Sequence, residues 1–440
     1  MKIILVRPDA IGDMILLTPT FSLLKQGMPH CYVAVLGRHY TQPLLIGNYD
    51  VDEFRTENSI KRGEFDAILH AYNEFPYVWK GFINGIKYRV ADRTKILFSF
   101  LNNVDSKQKF GDIRYHEVEH NLFLAKALFD KIGVPYPEDF DPELKLFVPD
   151  KPLPFEVKEE LIGIHPGTGK GNRAWLPEKY AELVNLINDK FPQAQVVLTG
   201  SRGEMLNNQK IIDLCKIKPI NAAGQTDLET LIVLISKMKC LISVDTGPMH
   251  IAAALKRPIV AISPVKYVKP TRWGPYKTEQ VIVRNTRACP LRCNPYKCKL
   301  STCMDAITPE MVLKGLEKIY SGQAVPADKF KEYHIKTSAN ILIYDDTRDK
   351  KGKKYYDILA HDGYQVEYWD RIPMPAYLAR GDINFIHVFS NRAKMIFKLF
   401  RPFVSPFISN PPVIFLQQDA RDAKMESGPE IMEAYLNNGS

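Results

Sequence analysis

Short apolar runs recur along most of the chain, each closed by a turn and followed by a helical period. The clearest case spans residues 240–264. Residues 241–244, apolar except for Ser243, read as a buried strand. Asp245-Thr246-Gly247-Pro248 breaks that strand, and His250-Ile251-Ala252-Ala253-Ala254-Leu255 favours a helix. Lys256-Arg257-Pro258 ends the helix, and residues 259–263 form the next strand. Strand, turn, helix and strand in so few residues predict a parallel α/β layer. The turn then presents the free N–H groups of a helix start at a strand's carboxyl end, where open α/β sheets take ligands and helix termini hold phosphate.

The same rhythm opens the chain. Residues 2–6 read as a strand, Arg7-Pro8-Asp9-Ala10-Ile11-Gly12-Asp13 as its loop, and residues 14–24 as a helix. Pro19 either kinks that helix or marks a second start. Strands follow at 31–36, 65–70 and 87–90, and a helix at 116–132 stops at Gly133. Residues 135–154, rich in proline and acid, mark a boundary. Beyond it come a strand at 161–165, a glycine-rich loop, a helix opened by Pro177 and running to Phe191, a strand at 195–199, a helix at 208–215 and a strand at 220–222. Thr226 caps a helix that runs to Met238 and leads into the strand before Asp245. Thr308-Pro309-Glu310 start a further helix to Ile319.

Length and composition narrow this picture. A chain of 440 residues predicts two or three domains, and 45% hydrophobic residues suffice for sizeable cores. Lys+Arg 59 against Asp+Glu 50 leaves +9, which suits an anionic substrate. No basic-aromatic RNA signature or zinc-finger spacing points to nucleic acid. The apolar run at the N-terminus breaks after four residues at Arg7, too short for a signal peptide, and no window approaches the ~18 apolar residues of a membrane span. Seven cysteines, an odd number, fit a reducing interior, and the expected compartment is the cytoplasm.

Three loops carry candidate chemistry. After the first strand, one glycine and one acid replace the G-x-G-x-x-G of a dinucleotide fold, so NAD and FAD are disfavoured. Gly12 allows a ligand to approach closely. Asp13, at a helix start, is either a general base or only a cap. The second loop, Pro166-Gly167-Thr168-Gly169-Lys170-Gly171-Asn172-Arg173, fails as a Walker A motif: Gly171 follows Lys170, and Ile164 stands where the first glycine belongs. Lys170, Arg173 and the loop amides still suit a diphosphate. The third loop is the Asp245 turn. Separately, His116-Glu117-Val118-Glu119-His120 matches H-E-x-x-H, which sets a zinc-hydrolase reading against that of a polar helix face lining a cleft. No convincing third ligand follows it.

Taken together, R-P-D-A-I-G-D at 7–13, H-P-G-T-G-K-G-N-R-A-W-L-P at 165–177 and D-T-G-P-M-H-I-A-A-A at 245–254 resemble the family of ADP-heptose:lipopolysaccharide heptosyltransferases, over about residues 1–320. The resemblance implies a GT-B fold of the α/β class, with two Rossmann-like domains facing across a cleft. The acceptor-binding domain is expected at 1–150 and the nucleotide-sugar domain at 151–325. It implies inverting, metal-independent transfer of a heptose or related sugar, with no cofactor, from a nucleotide-diphosphate donor resembling ADP-heptose. The acceptor would be a glycolipid or oligosaccharide of the lipopolysaccharide core or another envelope glycan. Asp13 would be the base. Arg173 falls where family members commonly carry a phosphate-contacting lysine, a change that keeps charge but alters geometry. Gly12, Thr168, Lys170, Asp245, Thr246, Gly247 and His250 complete the expected site. A non-catalytic nucleotide-sugar scaffold is the alternative from another class.

Cys289, Cys293, Cys298 and Cys303 follow a C-x3-C-x4-C-x4-C spacing, open to reduced thiols, a metal site or disulfides. Residues 335–440 read as an additional small α/β extension of about half a Rossmann domain, an incomplete second glycosyltransferase domain in kind. Its strands are expected at 340–344, 365–369, 383–389 and 413–416, and its helices at 354–361, 393–399 and 429–436. Residues 395–407 mix basic and aromatic side chains and carry two readings, a membrane-surface contact or a helix packed on its sheet. Peripheral contact with the cytoplasmic face of the inner membrane extends the first of these.

Overall fold

A computed structural model describes residues 1–56, 59–92, 100–106, 115–168, 174–263, 270–284 and 304–323, together with the backbone of 302–303 and of four strands between 340 and 414. Lys170, Arg173, Cys289, Cys293, Cys298, the Cys303 side chain, segment 395–407 and the three expected C-terminal helices lie outside the described residues.

The first half runs β1 (Lys2–Val6), α1 (Ile11–Gly27), β2 (Tyr32–Leu36), a 3₁₀ turn (His39–Leu45), β3 (Glu53–Arg55), β4 (Ala67–His70), α2 (Phe75–Ile83), β5 (Tyr88–Ala91), β6 (Val104–Asp105) and α3 (Glu117–Ile132). The second runs β7 (Leu161–His165), α4 (Pro177–Lys190), β8 (Gln195–Leu198), α5 (Met205–Leu214), β9 (Ile220–Asn221), α6 (Leu228–Ser236), β10 (Cys240–Val244), α7 (Gly247–Ala254), β11 (Ile259–Ile262), α8 (Pro270–Trp273) and β12 (Gln280–Val283). The short α9 (Thr302–Asp305) and α10 (Pro309–Tyr320) follow.

Two six-stranded sheets result, ordered β3-β2-β1-β4-β5-β6 and β12-β11-β10-β7-β8-β9. Every described strand pair in both is parallel, as with Leu5 opposite Val35 and Leu69, or Ile242 opposite Val260 and Ile164. Each sheet changes direction once, between β1 and β4 and between β7 and β10. In open α/β sheets that switch point is where ligands bind. The loops after β1, β7 and β10 all leave carboxyl ends there. The chain is thus GT-B in class, two Rossmann-like halves within one compact unit. A second compact unit holds a four-stranded parallel sheet, β14-β13-β15-β16, from β13 (Asn340–Tyr344), β14 (Gln365–Trp369), β15 (Phe385–Val388) and β16 (Val413–Ile414).

α1 is the buried joint of the first unit. It is apolar around most of its circumference, with Met14, Ile15, Leu16, Leu17, Phe21, Leu23 and Leu24 inaccessible, because it packs on its own sheet, on α3 and on α7 of the other half. Pro19 does not restart it; one continuous helix spans Ile11–Gly27. The Ile15 carbonyl that a proline cannot serve accepts from the Thr18 hydroxyl at 2.7 Å. α6 is capped by Asp227, not by Thr226: its carboxylate accepts from the Thr230 amide at 2.9 Å.

Candidate functional site

The starts of α1 and α7, one from each half, touch. Gly12 faces the His250 ring so closely that a Cβ there would lie 2.5 Å from His250 Cδ2. Gly247 meets Ile11 in the same way, with a Cβ position 3.0 Å from the Ile11 side chain. Gly12, Asp13, Gly247 and His250 are therefore brought together. Asp245 stands beside them, its Oδ1 3.7 Å from His250 Nε2. Thr246 is the N-cap residue of α7, and its hydroxyl lies 3.2 Å from that of Ser243. Gly12→Ala is expected to pry the two helix starts apart and lower the unfolding free energy by about 1–3 kcal/mol. An unchanged denaturant midpoint would show that the close packing is not needed.

Thr168, half-buried, ends the described part of the β7 loop. On the far side Trp175 anchors the chain, its indole N–H donating to the Ile307 carbonyl at 3.0 Å and its ring edge-on to Tyr180 at 4.9 Å. Beneath Gly167 lie Glu204 and His165, which leave no room for a Cβ. Burial pushes His165 down to about 4, so the ring is neutral, and Nδ1 sits 2.9 Å from the Thr199 hydroxyl. Glu204 in turn caps its own turn, accepting from the Ser201 amide at 2.7 Å. His165 opens the motif at 165–177, whereas Glu204 does not stand out in the sequence, being one acid in a loop after β8.

Asp13 has two kinds of contact. One oxygen accepts weakly from the Ala10 amide at 3.3 Å, half of a capping box whose N-cap alanine has no oxygen to return. The other is paired with Arg7, whose side chain is buried. Arg7 also lies 3.0 Å from Asp9, donates to Glu117 at 3.1 Å and donates to the Ala71 carbonyl at 2.8 Å. Burial alone would depress its pKa, but Asp13, then Asp9 and Glu117, outweigh burial and hold it above its ordinary value. Glu117 continues the chain of charges into the second half, accepting from Arg272 Nε at 3.0 Å and pairing with Arg272 Nη2 at 2.9 Å. Asp13, Arg7, Glu117 and Arg272 thus form a continuous ionic chain from α1 across to α8.

Glu117 belongs to the H-E-x-x-H match, and the structure gives that motif another meaning. His116 caps α3: its Nδ1 accepts from the Val118 amide at 3.2 Å, while Nε2 sits 3.0 Å from the Gly274 carbonyl of the other half. Both ring nitrogens are occupied, and no group of three metal-binding side chains occurs among the described residues. The zinc-hydrolase alternative through His116 and His120 is therefore corrected: this segment is a cap and an interface.

Asp9 carries a pH signature. Desolvation raises its pKa from 3.8 to about 7, despite Arg7, and the neighbouring Asp13 adds to the rise. A carboxyl raised on folding binds more protons folded than unfolded between pH 4 and 7, so it lowers stability as pH rises through that window. Asp9→Asn should therefore melt at a higher temperature than wild type at pH 8 and at nearly the same temperature at pH 4. A melting difference that does not grow with pH contradicts this.

A family model described as glycosyltransferase family 9 (heptosyltransferase) matches residues 54–303. Lipopolysaccharide heptosyltransferase 2 of Salmonella typhimurium is 29% identical over 294 residues, covering 60% of this chain and 82% of that protein. Among solved structures, the E. coli ADP-heptose lipopolysaccharide heptosyltransferase II aligns with a TM-score of 0.58 at 23% identity, covering 73% of this chain and 99% of its own. A family 9 glycosyltransferase from Veillonella parvula aligns at 0.59 and 18% identity, covering 73% and 97%. The structural likenesses speak for the fold. The family match takes in more than half of the sequence, and the chain belongs to glycosyltransferase family 9, the heptosyltransferase family.

Proposed function

We propose that the protein transfers a heptose or related sugar from a nucleoside-diphosphate donor to a hydroxyl of a lipopolysaccharide-core or similar envelope glycolipid, with inversion and without a metal. The observation that carries this reading is the meeting of two helix starts from opposite halves. One bears the Asp13 carboxylate; the other bears Thr246, Gly247 and His250. The relatives' names supply the substrate class: one compared structure is of an ADP-heptose lipopolysaccharide heptosyltransferase.

In this reaction the acceptor oxygen attacks the anomeric carbon from the face opposite the leaving diphosphate. The new C–O bond forms as the bond to phosphate breaks. Asp13 takes the hydroxyl proton. The nucleoside diphosphate departs with the extra negative charge, which the amides at the start of α7 stabilise together with Lys170 and Arg173. Gly12, Thr168 and Asp245 complete the donor's surroundings. Arg7 holds the base in place through its pairing with Asp13.

A panel of nucleotide sugars tests the reading by thermal stabilisation. A preferred donor at 100 times its Kd should add about 2.7 kcal/mol of stability, and a closely fitting donor should be an ADP- or related nucleoside-diphospho-heptose. Transfer should proceed undiminished in excess EDTA. Stabilisation by no nucleotide sugar, or activity lost to EDTA and restored by a metal, would overturn it.

A further inference from the structure

The helix α2 is built inside out. Its buried residues, Val78 and Gly81, are small; Gly81 lets it sit on β4, with a Cβ position only 3.1 Å from Ile68, and Val78 packs on Leu101. Its large side chains face outward instead. Trp79 is 42% exposed, Phe82 42% and Ile83 47%, and beside Leu101 the Phe100 ring is 70% exposed. Positions 75, 79, 82 and 83 share one helical face. On it Phe75 stacks on Trp79 at 6.0 Å and Trp79 on Phe82 at 5.9 Å between centroids, so the rings make one continuous apolar strip.

Charge accompanies the strip. From residue 75 to residue 91 the chain carries Lys80, Lys87 and Arg89 and no acid. The Arg89 guanidinium lies 5.5 Å above the Phe82 ring but is half-buried and tied to the Leu101 and Ile86 carbonyls at 2.6 Å each, so Lys80 and Lys87 are the cations left beside the strip. Outward aromatic rings flanked by cations suit the interface of an anionic lipid bilayer. There the rings sit at headgroup depth, and the negative surface potential attracts each basic residue. A second copy of this chain fits poorly, because a two-fold contact through α2 would set the same cations against each other.

We propose that α2, with Phe100 beside it, docks the protein on the surface of an anionic bilayer. This deepens the proposed reaction, whose acceptor is a glycolipid, and rests on that reading for its purpose. The docking helix belongs to the first half, on the face of β4 away from α1, and leaves the donor residues untouched.

Flotation of the full chain with vesicles tests it. Wild type should float with vesicles containing phosphatidylglycerol and not with pure phosphatidylcholine. Trp79→Ser/Phe82→Ser should lower binding by about tenfold or more, and so should Lys80→Glu/Lys87→Glu. Tryptophan fluorescence should shift to the blue on anionic vesicles in wild type and not in Trp79→Ser/Phe82→Ser. Stabilisation by nucleotide sugar should stay at the wild-type level in both double variants, which separates failure of docking from failure of the transferase reading. Unchanged flotation of either variant overturns the proposal, as does equal capture of wild type by neutral vesicles. A wild-type self-association that the variants abolish, without vesicle binding, also overturns it.

Discussion

Asp13→Asn is expected to cut sugar transfer by about 10²–10⁴-fold while leaving donor binding intact, the range that a positioned proton acceptor contributes. The substitution is nearly isosteric. It keeps an oxygen for the Ala10 amide, which Asp13 meets at 3.3 Å, and leaves Arg7 its contacts with Asp9, Glu117 and the Ala71 carbonyl. α1 should therefore stay in place, and its packing against His250 with it. What Asn cannot do is accept the hydroxyl proton. Single-turnover transfer and donor-induced thermal stabilisation, measured on the same preparation, separate the two roles. A variant that binds donor as wild type does and transfers less than a hundredth as fast supports Asp13 as the base. Full transfer by this variant would assign Asp13 to capping alone and move the base elsewhere.

How far such assignments were legible in the sequence depends on how local their causes are. Strand, turn and helix around Asp245 are set by adjacent residues: an apolar run, a glycine-proline break and an alanine-rich helix, so β10, α7 and β11 fall where the pattern puts them. The edges are harder. β3, β6 and β12 are strands of two to four residues whose pairing partners lie elsewhere in the chain, and a short run has no period to read. α2 follows the apolar period of a core helix but turns that face outward, a choice made by the small residues beneath it. α1 extends three residues before the expected start because Ile11 packs on Gly247 of the other half.

The site divides along the same line. Gly12, Asp13 and the Asp245 turn stand at strand–helix junctions, where a ligand role is visible without knowing the fold. Arg7 and Glu117 are 110 residues apart, and only the approach of α3's first turn to the β1 loop makes them partners. The sequence does flag Glu117, inside H-E-x-x-H. The flag carries two readings, zinc chemistry and a polar helix face lining a cleft, because spacing along a helix carries no information on which other helix or loop stands opposite. Here it is Gly274 that faces His116 and Arg272 that faces Glu117, both from the second half.

That arrangement yields the second large expectation. Glu117→Ala should destabilise the protein by about 3–5 kcal/mol, the cost of removing one member of a buried ion pair. Glu117 is 5% exposed and serves two guanidinium groups, Arg7 of the first half and Arg272 of the second. Arg7 would keep Asp9 and Asp13 but lose the carboxylate it shares with Arg272, and the halves would lose this link between their charge networks. Glu117→Gln keeps an oxygen and the shape but not the charge, so it should lose less stability. Its effect should fall on turnover rather than on donor binding, because Arg7, held less firmly without the charge at 117, lets the Asp13 carboxylate move. Urea midpoints read the first effect, and kcat against donor KM the second. If Glu117→Ala unfolds at the wild-type midpoint, the ionic chain carries no stability. If Glu117→Gln raises donor KM while kcat is unchanged, Glu117 acts on the donor side and does not position the base.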